Sequence, residues 1–295
     1  MYSIGIDIGG TQLRCAVFAQ DHSIVDRIQM PNDRSLSAEA NTDRLIDFIK
    51  SRDYPYAGIG IGCPGPLDFT AGCLLNPPNL YGWNDFNIVK YFEKKSGLRT
   101  ILNNDANAAG LAEALLGAGK GKQSVFYITV STGIGGAYVY KGELVNGAHS
   151  VAAEAYDLMV CEDGYCHNGA NPGSLNEMCG GHALARQAEA AFGYPVDVKD
   201  LYDRLYLAEH NSKAEQIVER CIDNLARGIG NIACIVDPDI FIFGGSIALR
   251  SPGFLEKVEE RARRYMIRPE YLCMERAKLG DDAGLIGASL LVPPV

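Results

Sequence analysis

The sequence lacks the long apolar run, the leader and the basic excess that mark three common classes of protein. No apolar run reaches about 18 residues, which is the length that a membrane-spanning helix needs. Residues 1–5 contain neither a basic segment nor a signal-cleavage pattern. Lys and Arg number 27 against 36 Asp and Glu, a net charge of −9, so no electrostatic footprint for nucleic acid is visible. These absences predict a cytoplasmic protein that binds neither a membrane nor nucleic acid.

Regular disulfide spacing is missing as well. The nine cysteines are odd in number and scattered along 295 residues, which favours reduced thiols over a disulfide framework. The remaining composition is ordinary for a globular protein, with 47% hydrophobic and 21% charged residues. We therefore expect a substantial core, in a chain long enough for about two domains.

A strand, a glycine turn and a second strand open the chain. Residues 2–6 and 13–19 are the predicted strands, and a third follows at 24–30. The turn is Asp7-Ile8-Gly9-Gly10-Thr11, and no helix follows it as a Rossmann fingerprint would require. Glycines let backbone N–H groups approach a ligand closely and form an anion-binding nest. A single turn of this kind is weak evidence for such a site.

The same design occurs again about 125 residues later, which predicts a duplicated unit with one copy in each domain. A strand at 124–130 runs into the turn Ser131-Thr132-Gly133-Ile134-Gly135-Gly136, and a strand at 137–140 returns. A further strand at 240–243 ends in Gly244-Gly245. This is a third place where the backbone can approach a flat or charged group.

A polar strand end lies between the two glycine turns. Residues 100–102 are a predicted strand, Asn103, Asn104 and Asp105 follow, and 106–116 is a predicted helix. A strand that runs straight into a helix leaves its polar end at the carboxyl edge of a sheet, where open α/β folds bind ligands. One of the three residues is equally explained as the N-cap of the helix, so both interpretations stay open at this point.

Helical periodicity covers much of the remaining chain. The predicted helices are 39–50, a helix capped by Asn84 and reaching to 96, 176–192, 198–209, 213–236, 254–265 and 283–291. No low-complexity linker separates the halves, and we place the junction near 117–121. The predicted N-terminal domain is then 1–117, joined by the C-terminal helix at 281–295, and the larger domain is 118–280.

Five motifs, taken in order, resemble the ROK family of ATP-dependent sugar kinases. They are the turn from Asp7 to Thr11, Pro64-Gly65, the run 103–109, the turn 132–136 and Gly244-Gly245. The resemblance extends over nearly the whole chain. It implies an α/β fold of the duplicated ribonuclease-H-like type found in actin, hexokinase and Hsp70, with two domains and a cleft between them. It also implies a homodimer.

The resemblance implies a role for each motif. Asp105 would be the catalytic base, with Asn104 and Glu154 as sugar ligands. The two glycine hairpins would bind the ATP phosphates, and the later glycine pair would flank the adenosine. The residues so implied in nucleotide binding are Asp7, Gly9, Gly10, Thr11, Thr132, Gly133, Gly135, Gly136, Gly244 and Gly245.

The chemistry of phosphoryl transfer agrees with these roles. It requires bound phosphates, an aligned hydroxyl and a carboxylate that accepts the proton of that hydroxyl. Because the sequence has no Walker-type lysine loop, we expect backbone amides and Mg²⁺ to carry the charge of ATP, with Asp7 near the Mg²⁺ and Asp105 as base. Pro64, Gly65 and Asn79 shape the predicted sugar pocket, although an ordinary turn is an equal alternative for Asn79.

One segment departs from the family pattern, in which a His and three cysteines bind structural zinc. Asp157 stands where the His is expected, and Asn168 and Ser174 occupy two cysteine positions. Asn176 aligns with the second sugar-binding Glu of the family. We therefore expect no structural zinc and predict sugar contacts for Asp157 and Asn176. The residues that could still form a makeshift zinc site are Cys161, Cys166, His167 and Cys179. Their spacing departs from known zinc patterns and favours scattered thiols over a zinc site.

The predicted function is ATP-dependent phosphorylation of a hexose-type sugar at its 6-hydroxyl. Glucose, N-acetylmannosamine and a substituted hexose are the candidate acceptors. A transcriptional repressor of the same family would need a helix-turn-helix arm before the first hairpin, where the sequence shows none. A sugar-binding regulator without catalysis is the other alternative, suggested by the altered segment 153–177 but opposed by Asp105 and both hairpins.

Overall fold

The computed structural model describes residues 1–162, 165–166 and 170–293. Its backbone forms two compact units. The first contains Met1–Gly117, Asn146–Ala152 and the residues from Leu279 on. The second contains Ala118–Val145 and Ala153–Lys278.

The segment Asn146–Ala152 lies in the first unit although the sequence-based boundaries put it in the domain 118–280. Asn103 Nδ2 donates a hydrogen bond to Asn146 Oδ1 at 3.0 Å. Ala152 N in turn donates to Asn146 O at 3.2 Å, which closes the segment on itself. A contact between residues so distant in sequence leaves no mark in local sequence patterns.

A five-stranded mixed sheet forms the centre of the first unit. Its order is β3-β2-β1-β4-β7, and the β1–β2 and β2–β3 pairs are antiparallel whereas β1–β4 and β4–β7 are parallel. A two-stranded hairpin, β5–β6, lies outside this sheet. The strands of this unit are β1 Tyr2–Ile8, β2 Gln12–Phe18, β3 Ile24–Pro31, β4 Tyr56–Cys63, β5 Leu67–Asp68, β6 Cys73–Leu74 and β7 Thr100–Asn104.

A second five-stranded sheet forms the centre of the other unit. Its order is β10-β9-β8-β11-β12, with two antiparallel pairs followed by two parallel pairs. This order and these directions repeat those of the first sheet. The predicted duplication is therefore confirmed. The strands are β8 Ser124–Val130, β9 Ile134–Tyr140, β10 Glu143–Leu144, β11 Ile240–Gly244 and β12 Met274–Arg276.

Helices cover the faces of both sheets. Among the described residues, no helix combines the length and apolarity needed to cross a bilayer. A π-helix covers Leu201–Ala208, and 3-10 turns cover Ala155–Asp157, Arg263–Tyr265, Pro269–Tyr271 and Gly280–Asp282. The α-helices are α1 Ala38–Lys50, α2 Ile88–Ser96, α3 Asp105–Leu115, α4 Leu175–Cys179, α5 Gly181–Phe192, α6 Val198–Asp200, α7 Ser212–Val236, α8 Ser246–Arg250, α9 Phe254–Ala262 and α10 Ala283–Leu290.

The longest helix shows why the helical predictions succeed. In α7, Val218, Ile222, Leu225 and Ile229 recur at intervals of three or four residues, and each is at most 2% exposed. This spacing places the apolar side chains on one face of a helix, and that face packs into the hydrophobic core of the second unit. Asn211 begins the helix by accepting bonds from Lys213 N and Ala214 N.

The predicted N-cap at Asn84 is wrong, because Asn87 caps α2 instead. Its Oδ1 accepts a hydrogen bond from Lys90 N at 2.9 Å. Phe86 just before it bridges to Leu74 and packs edge-on against Trp83, with ring centroids 5.9 Å apart. Burial of this aromatic side chain keeps the preceding residues in a loop, which capping preferences alone do not reveal.

The predicted helix 176–192 is two helices, because Gly180 takes an extended conformation with ψ 153°. A Cβ on Gly180 would lie 3.2 Å from the Cα of Gly133, so the break accommodates the second glycine hairpin. The predicted helix 198–209 continues as a π-helix from Leu201, and the predicted helix 254–265 ends in a 3-10 turn that begins at Arg263. The strands β5, β6, β10 and β12 are too short to show a periodic signal and were not predicted.

The C-terminal helix α10 packs against α3, β1 and β4 with almost no space between the backbones. A Cβ on Gly287 would lie 1.6 Å from Ala108 O, and one on Gly60 would lie 1.7 Å from Ala288 O. Only glycine permits such an approach. These glycines therefore hold α10 against the sheet that carries the first glycine hairpin.

We expect Gly287→Ala to lower the free energy of unfolding by at least about 2 kcal/mol, because its methyl group would overlap Ala108 O. Gly284→Ala is the matched control in the same helix, since its Cβ would lie 3.7 Å from Asp7 in ordinary contact. Alanine has the higher helix propensity, so this control should be neutral or stabilising by up to about 1 kcal/mol. Chemical denaturation measures both, and equal stabilities of the two variants would contradict the packing described here.

Candidate functional site

The carboxyl ends of β1, β4 and β7 bring the predicted site residues of the first unit together. Asp7 is in register with Gly62, and Gly62 is in register with Asn103. Cys63 pairs with Asn104 in the next row. The predicted residues that follow these strands therefore share one edge of the sheet, which is where open α/β folds bind ligands.

Asn104 confirms the N-cap interpretation for one of the three polar residues. Its Oδ1 accepts a hydrogen bond from Ala106 N at 2.9 Å, and α3 begins at Asp105. A Cβ on Gly65 would lie 3.7 Å from Asn104 Nδ2, so the Pro64-Gly65 turn lies beside this amide. Because the cap uses only Oδ1, the Nδ2 donor of Asn104 can still serve a ligand.

A buried asparagine network under this turn was missed by the sequence analysis as a functional feature. Asn103 is 4% exposed, and its Oδ1 accepts bonds from Asn104 N and Asn107 Nδ2, both at 2.8 Å. Its Nδ2 donates to Asn146. Asn103 and Asn107 are four residues apart at a helix start, a spacing that brings side chains together and was the one available signal. The network fixes the backbone of Asn104, the residue that precedes Asp105.

Asp105 has an unusual acidity for a carboxylic acid. Burial, and secondarily the negative charge of Asp7, raise the pKa of Asp105 to about 6. Burial and the charges of Asp105 and Asp7 also raise the pKa of the neighbouring Cys63 thiol well above its ordinary value, so this thiol is neutral. A carboxylate with a raised pKa at a sheet edge is suited to accept a proton near neutral pH.

Asp7 forms an ion pair with Arg14 on the neighbouring strand. Arg14 Nε donates to Asp7 Oδ2 at 2.9 Å, and Arg14 Nη2 donates to the same oxygen. Arg14 Nη1 donates to Asp281 O at 2.7 Å. Both bonds to Asp7 use Oδ2, so Oδ1 is not engaged by the guanidinium. A carboxylate oxygen is a ligand that Mg²⁺ prefers, and Asp7 therefore fits the predicted role near the metal.

The first glycine hairpin is closed by its own backbone. Gly9 N donates to Gln12 O at 2.8 Å, and Asn32 Nδ2 donates to Gly9 O at 2.9 Å. A Cβ on Gly10 would lie 2.5 Å from Asn79 O, so the loop of Asn79 lies directly against the hairpin. Thr11 is exposed at the tip. Gly10 therefore has a packing reason to be glycine in addition to the predicted phosphate contact.

The second glycine hairpin has the corresponding position in the second unit. Ser131 N donates to Gly133 O at 2.9 Å, and Gly135 pairs with Thr129. Thr132 is exposed at the tip. A Cβ on Gly136 would lie 2.3 Å from Ala153 O, which places the start of the 153–174 segment against this hairpin.

The predicted adenosine pair, Gly244 and Gly245, follows β11. A Cβ on Gly244 would lie 2.1 Å from the Tyr127 hydroxyl oxygen, and Gly245 has φ +86° at the start of α8. Ser246 at the first position of that helix shares a hydrogen bond with Ser131, 3.1 Å apart. The structure thus brings this pair next to the second hairpin, as the predicted nucleotide site requires.

Asp157 is engaged within its own segment. Its Oδ1 accepts from Asn171 N at 2.5 Å and its Oδ2 accepts from Asn171 Nδ2 at 2.8 Å. Glu154, the predicted sugar ligand, lies at the start of the same 3-10 turn and after Ala153, which has φ 62°. These two bonds attach Asp157 to Asn171 within the altered segment. A direct sugar contact for Asp157 stays a prediction.

Two of the cysteines proposed for a makeshift zinc site direct their thiols to backbone carbonyls. Cys179 is buried, and its Sγ donates a hydrogen bond to Cys221 O at 3.4 Å. The Sγ of Cys161 donates to Gly173 O. Ser174, at an expected cysteine position, caps α4. Within the described part of the chain, no group of three or more His, Cys, Asp or Glu is arranged to hold a metal. His167 and Asn168 lie outside the described residues.

The sequence and the fold are similar to those of known proteins. A model described as the ROK family matches residues 3–294 of the chain. The chain belongs to the ROK family. An N-acetylmannosamine kinase of Escherichia coli is 31% identical over 294 residues, covering 99% of this chain and 98% of that protein. A glucokinase of Halalkalibacterium halodurans is 26% identical, covering 98% of this chain and 94% of that protein.

Solved structures agree with this membership. The ROK hexokinase of Thermus thermophilus has a TM-score of 0.92 and 35% identity, covering 99% of this chain and 98% of that one. A ROK glucokinase of Streptomyces griseus, solved with glucose and AMPPNP, has a TM-score of 0.77 and 27% identity, with 99% of each chain covered. The duplicated ribonuclease-H-like α/β fold is thereby confirmed.

The raised pKa of Asp105 generates a prediction about stability. Its pKa is about 6 in the folded protein and near 4 in an unfolded chain, so ionisation destabilises the folded state above that window. Asp105→Asn should therefore raise the melting temperature at pH 8, and the gain should shrink as the pH falls from 6 to below 4. Thermal unfolding across this range measures it. A difference that does not depend on pH would contradict the raised pKa.

The pairing of Asp157 with Asn171 generates a prediction about zinc. We expect well under one zinc per chain by metal analysis, and no change in melting temperature with a chelator. Asn171→Ala should instead lower the free energy of unfolding by about 1 kcal/mol, because the bond from the side-chain Nδ2 to Asp157 Oδ2 is lost while the backbone bond is kept. Pro172, also exposed, gives the control variant Pro172→Ala. Stoichiometric zinc whose removal destabilises the protein would refute this expectation.

Proposed function

We propose that this ROK protein is an ATP-dependent kinase that transfers the γ-phosphoryl group to a hydroxyl of a hexose-type sugar, at the 6-position. The observation that carries the proposal is Asp105, whose pKa of about 6 suits a general base at neutral pH. The names of the relatives, glucokinase and N-acetylmannosamine kinase, support the same reaction. So does the glucose and AMPPNP complex of a ROK glucokinase.

In the proposed mechanism, the acceptor hydroxyl lies beside Asp105 at the start of α3. Its oxygen forms a bond to the γ-phosphorus while the bond from that phosphorus to the β–γ bridging oxygen breaks. The hydroxyl proton passes to the carboxylate of Asp105, and ADP leaves. Asn104 Nδ2 donates to a sugar oxygen and so orients the acceptor. Asn103 fixes the backbone of Asn104 by accepting a hydrogen bond from Asn104 N.

The charge of the phosphates is met by two kinds of group. In each unit, backbone N–H groups of the glycine hairpin, at Gly10–Thr11 in the first and Thr132–Gly133 in the second, are the proposed donors to phosphate oxygens, as an anion nest. Mg²⁺ would neutralise phosphate charge when bound, and Asp7 Oδ1 is the oxygen placed to hold it or its water ligands. Arg14 fixes the orientation of Asp7 through Oδ2. Gly244 and Gly245 offer a flat backbone surface to the adenosine.

The sugar itself is proposed more coarsely. Pro64, Gly65 and Asn104 are the proposed sugar-binding residues of the first unit, and Glu154 is the predicted sugar ligand of the second. N-acetylmannosamine and glucose are the candidates that the names of the relatives suggest. Each carboxylate oxygen of Asp157 already accepts one bond from Asn171. A sugar hydroxyl would therefore have to donate to the second lone pair of one of these oxygens. A cytoplasmic homodimer is part of the same proposal.

We expect Asp105→Asn to lower kcat by about 10²–10⁴ with ATP affinity unchanged, because only the proton acceptor is lost. In the wild type, kcat/KM should fall as the pH is lowered through about 6, where Asp105 becomes protonated. ADP release is measured with glucose, N-acetylmannosamine, mannose and N-acetylglucosamine. Asp47→Asn, an exposed position on α1, is the control. A variant that keeps more than half of the wild-type kcat would exclude Asp105 as the base.

The same ADP-release assay distinguishes a kinase from the alternative function. A sugar-binding regulator without catalysis would release no ADP with any sugar, yet would bind one of them by calorimetry. The altered segment 153–177 is the specific observation that favours this alternative. Turnover of one sugar with a kcat of about 1 per second or more, as is usual for enzymes, would exclude it.

A further inference from the structure

The second glycine hairpin is attached to the junction between α4 and α5 by three hydrogen bonds. Ile134 N donates to Asn176 Oδ1 at 3.0 Å. Gly181 N donates to Ser131 O at 2.8 Å, and His182 N donates to Thr132 O at 3.0 Å. The contact is close on the other side as well, since a Cβ on Gly133 would lie 2.8 Å from Asn176 Oδ1. Asn176 is the only side chain among these three acceptors, so it is the one that a substitution can remove.

The amide of Asn176 is oriented by a buried carboxylate. Asn176 Nδ2 donates to Glu177 Oε1 at 3.2 Å. Glu177 is 3% exposed, and its other oxygen accepts from Arg186 Nη1 at 3.1 Å. Arg186 Nη2 also donates to Glu177 O at 2.9 Å. This chain of bonds fixes which end of the Asn176 amide faces the hairpin, because only Nδ2 can donate to a carboxylate.

The network reaches the segment that carries the altered sequence. The guanidinium of Arg186 lies 3.5 Å from the ring centroid of Tyr165, which belongs to the altered segment, and forms a cation–π contact with it. Arg186 and Glu177 are therefore held between this segment on one side and Asn176 on the other. A change in Arg186 therefore reaches the amide of Asn176 through Glu177.

We propose that Asn176 is a positioning residue of the nucleotide hairpin, held by Glu177 and Arg186, and that it is not a sugar ligand. The proposal rests on the proposed kinase function of the same site. Its physical basis is that Asn176 Oδ1 accepts from Ile134 N and Nδ2 donates to Glu177 Oε1, so both ends of the amide are already engaged by the protein. By fixing Ile134, Asn176 sets the backbone of Thr132 and Gly133, whose N–H groups meet the phosphates.

Steady-state kinetics distinguish this role from sugar binding. Asn176→Ala should raise the KM for ATP about tenfold, since one hydrogen bond that orders the hairpin is lost, and leave the KM for sugar within about twofold at saturating ATP. Arg186→Gln should act in the same direction with a smaller change. Glu189→Gln, exposed on the same helix α5, is the control. A raised KM for sugar with an unchanged KM for ATP would overturn the proposal.

A conservative pair of variants tests the hydrogen-bond chain itself. Asn176→Asp keeps an acceptor for Ile134 N but places a second carboxylate against Glu177, so it should also raise the KM for ATP. Adding Glu177→Gln reverses donor and acceptor in the pair and should restore the KM for ATP to within about threefold of wild type. A double variant no better than Asn176→Asp would mean that the pair does not orient the hairpin.

Binding of AMPPNP with Mg²⁺, followed by calorimetry, keeps the test independent of turnover. Asn176→Ala should weaken AMPPNP by about the same factor as the KM for ATP, with the circular dichroism spectrum of the wild type. If the wild type neither binds nucleotide nor releases ADP, the proposed function fails and the inference fails with it. If the wild type is active and Asn176→Ala binds AMPPNP normally, the inference alone is wrong.

Discussion

The register of three parallel strands is the constraint on which the candidate site depends. In β1, β4 and β7, Asp7, Gly62 and Asn103 stand in one row. Because neighbouring strands lie about 4.8 Å apart, this register brings Asp7 near enough to Asp105 to raise its pKa. A slip of one residue would turn these side chains to the other face of the sheet. The acidity of Asp105 is thus a consequence of sheet pairing and burial together.

The duplicated units support their glycine hairpins differently. The first hairpin packs against the carbonyl of Asn79, and its carboxylate, Asp7, is paired with Arg14. The second has no carboxylate at the matching position and is attached to the starts of two helices, through Asn176 and the backbone of Gly181. The backbone design has therefore been kept in both copies while the side chains that hold it differ.

Much of the site was predictable because its motifs are local. The glycine turns, the Asn104–Asp105 strand end and the order of the motifs depend on residues adjacent in the chain, and the helix and strand periodicities follow from side-chain direction. The ion pair of Asp7 with Arg14 depends on strand pairing, and the bond from Asn171 to Asp157 depends on contact between residues 14 positions apart. No local pattern records such contacts. Asn176 was predicted as a sugar ligand from its alignment with the second sugar-binding Glu of the family, and its bond from Ile134 N is a tertiary contact of the same kind.

The sequence by itself determined the family, through the resemblance carried by its ordered motifs. It also determined the positions of the strands, the glycine hairpins and the strand end at Asp105, since these follow from short-range turn chemistry and apolar periodicity. Only the tertiary structure decided the pKa of Asp105, the break of a helix at Gly180 and the partners of Asn176. Each of these depends on burial or on contact between segments distant in the chain. Desolvation and packing arise only in the folded protein, because they depend on neighbours that are distant in the sequence.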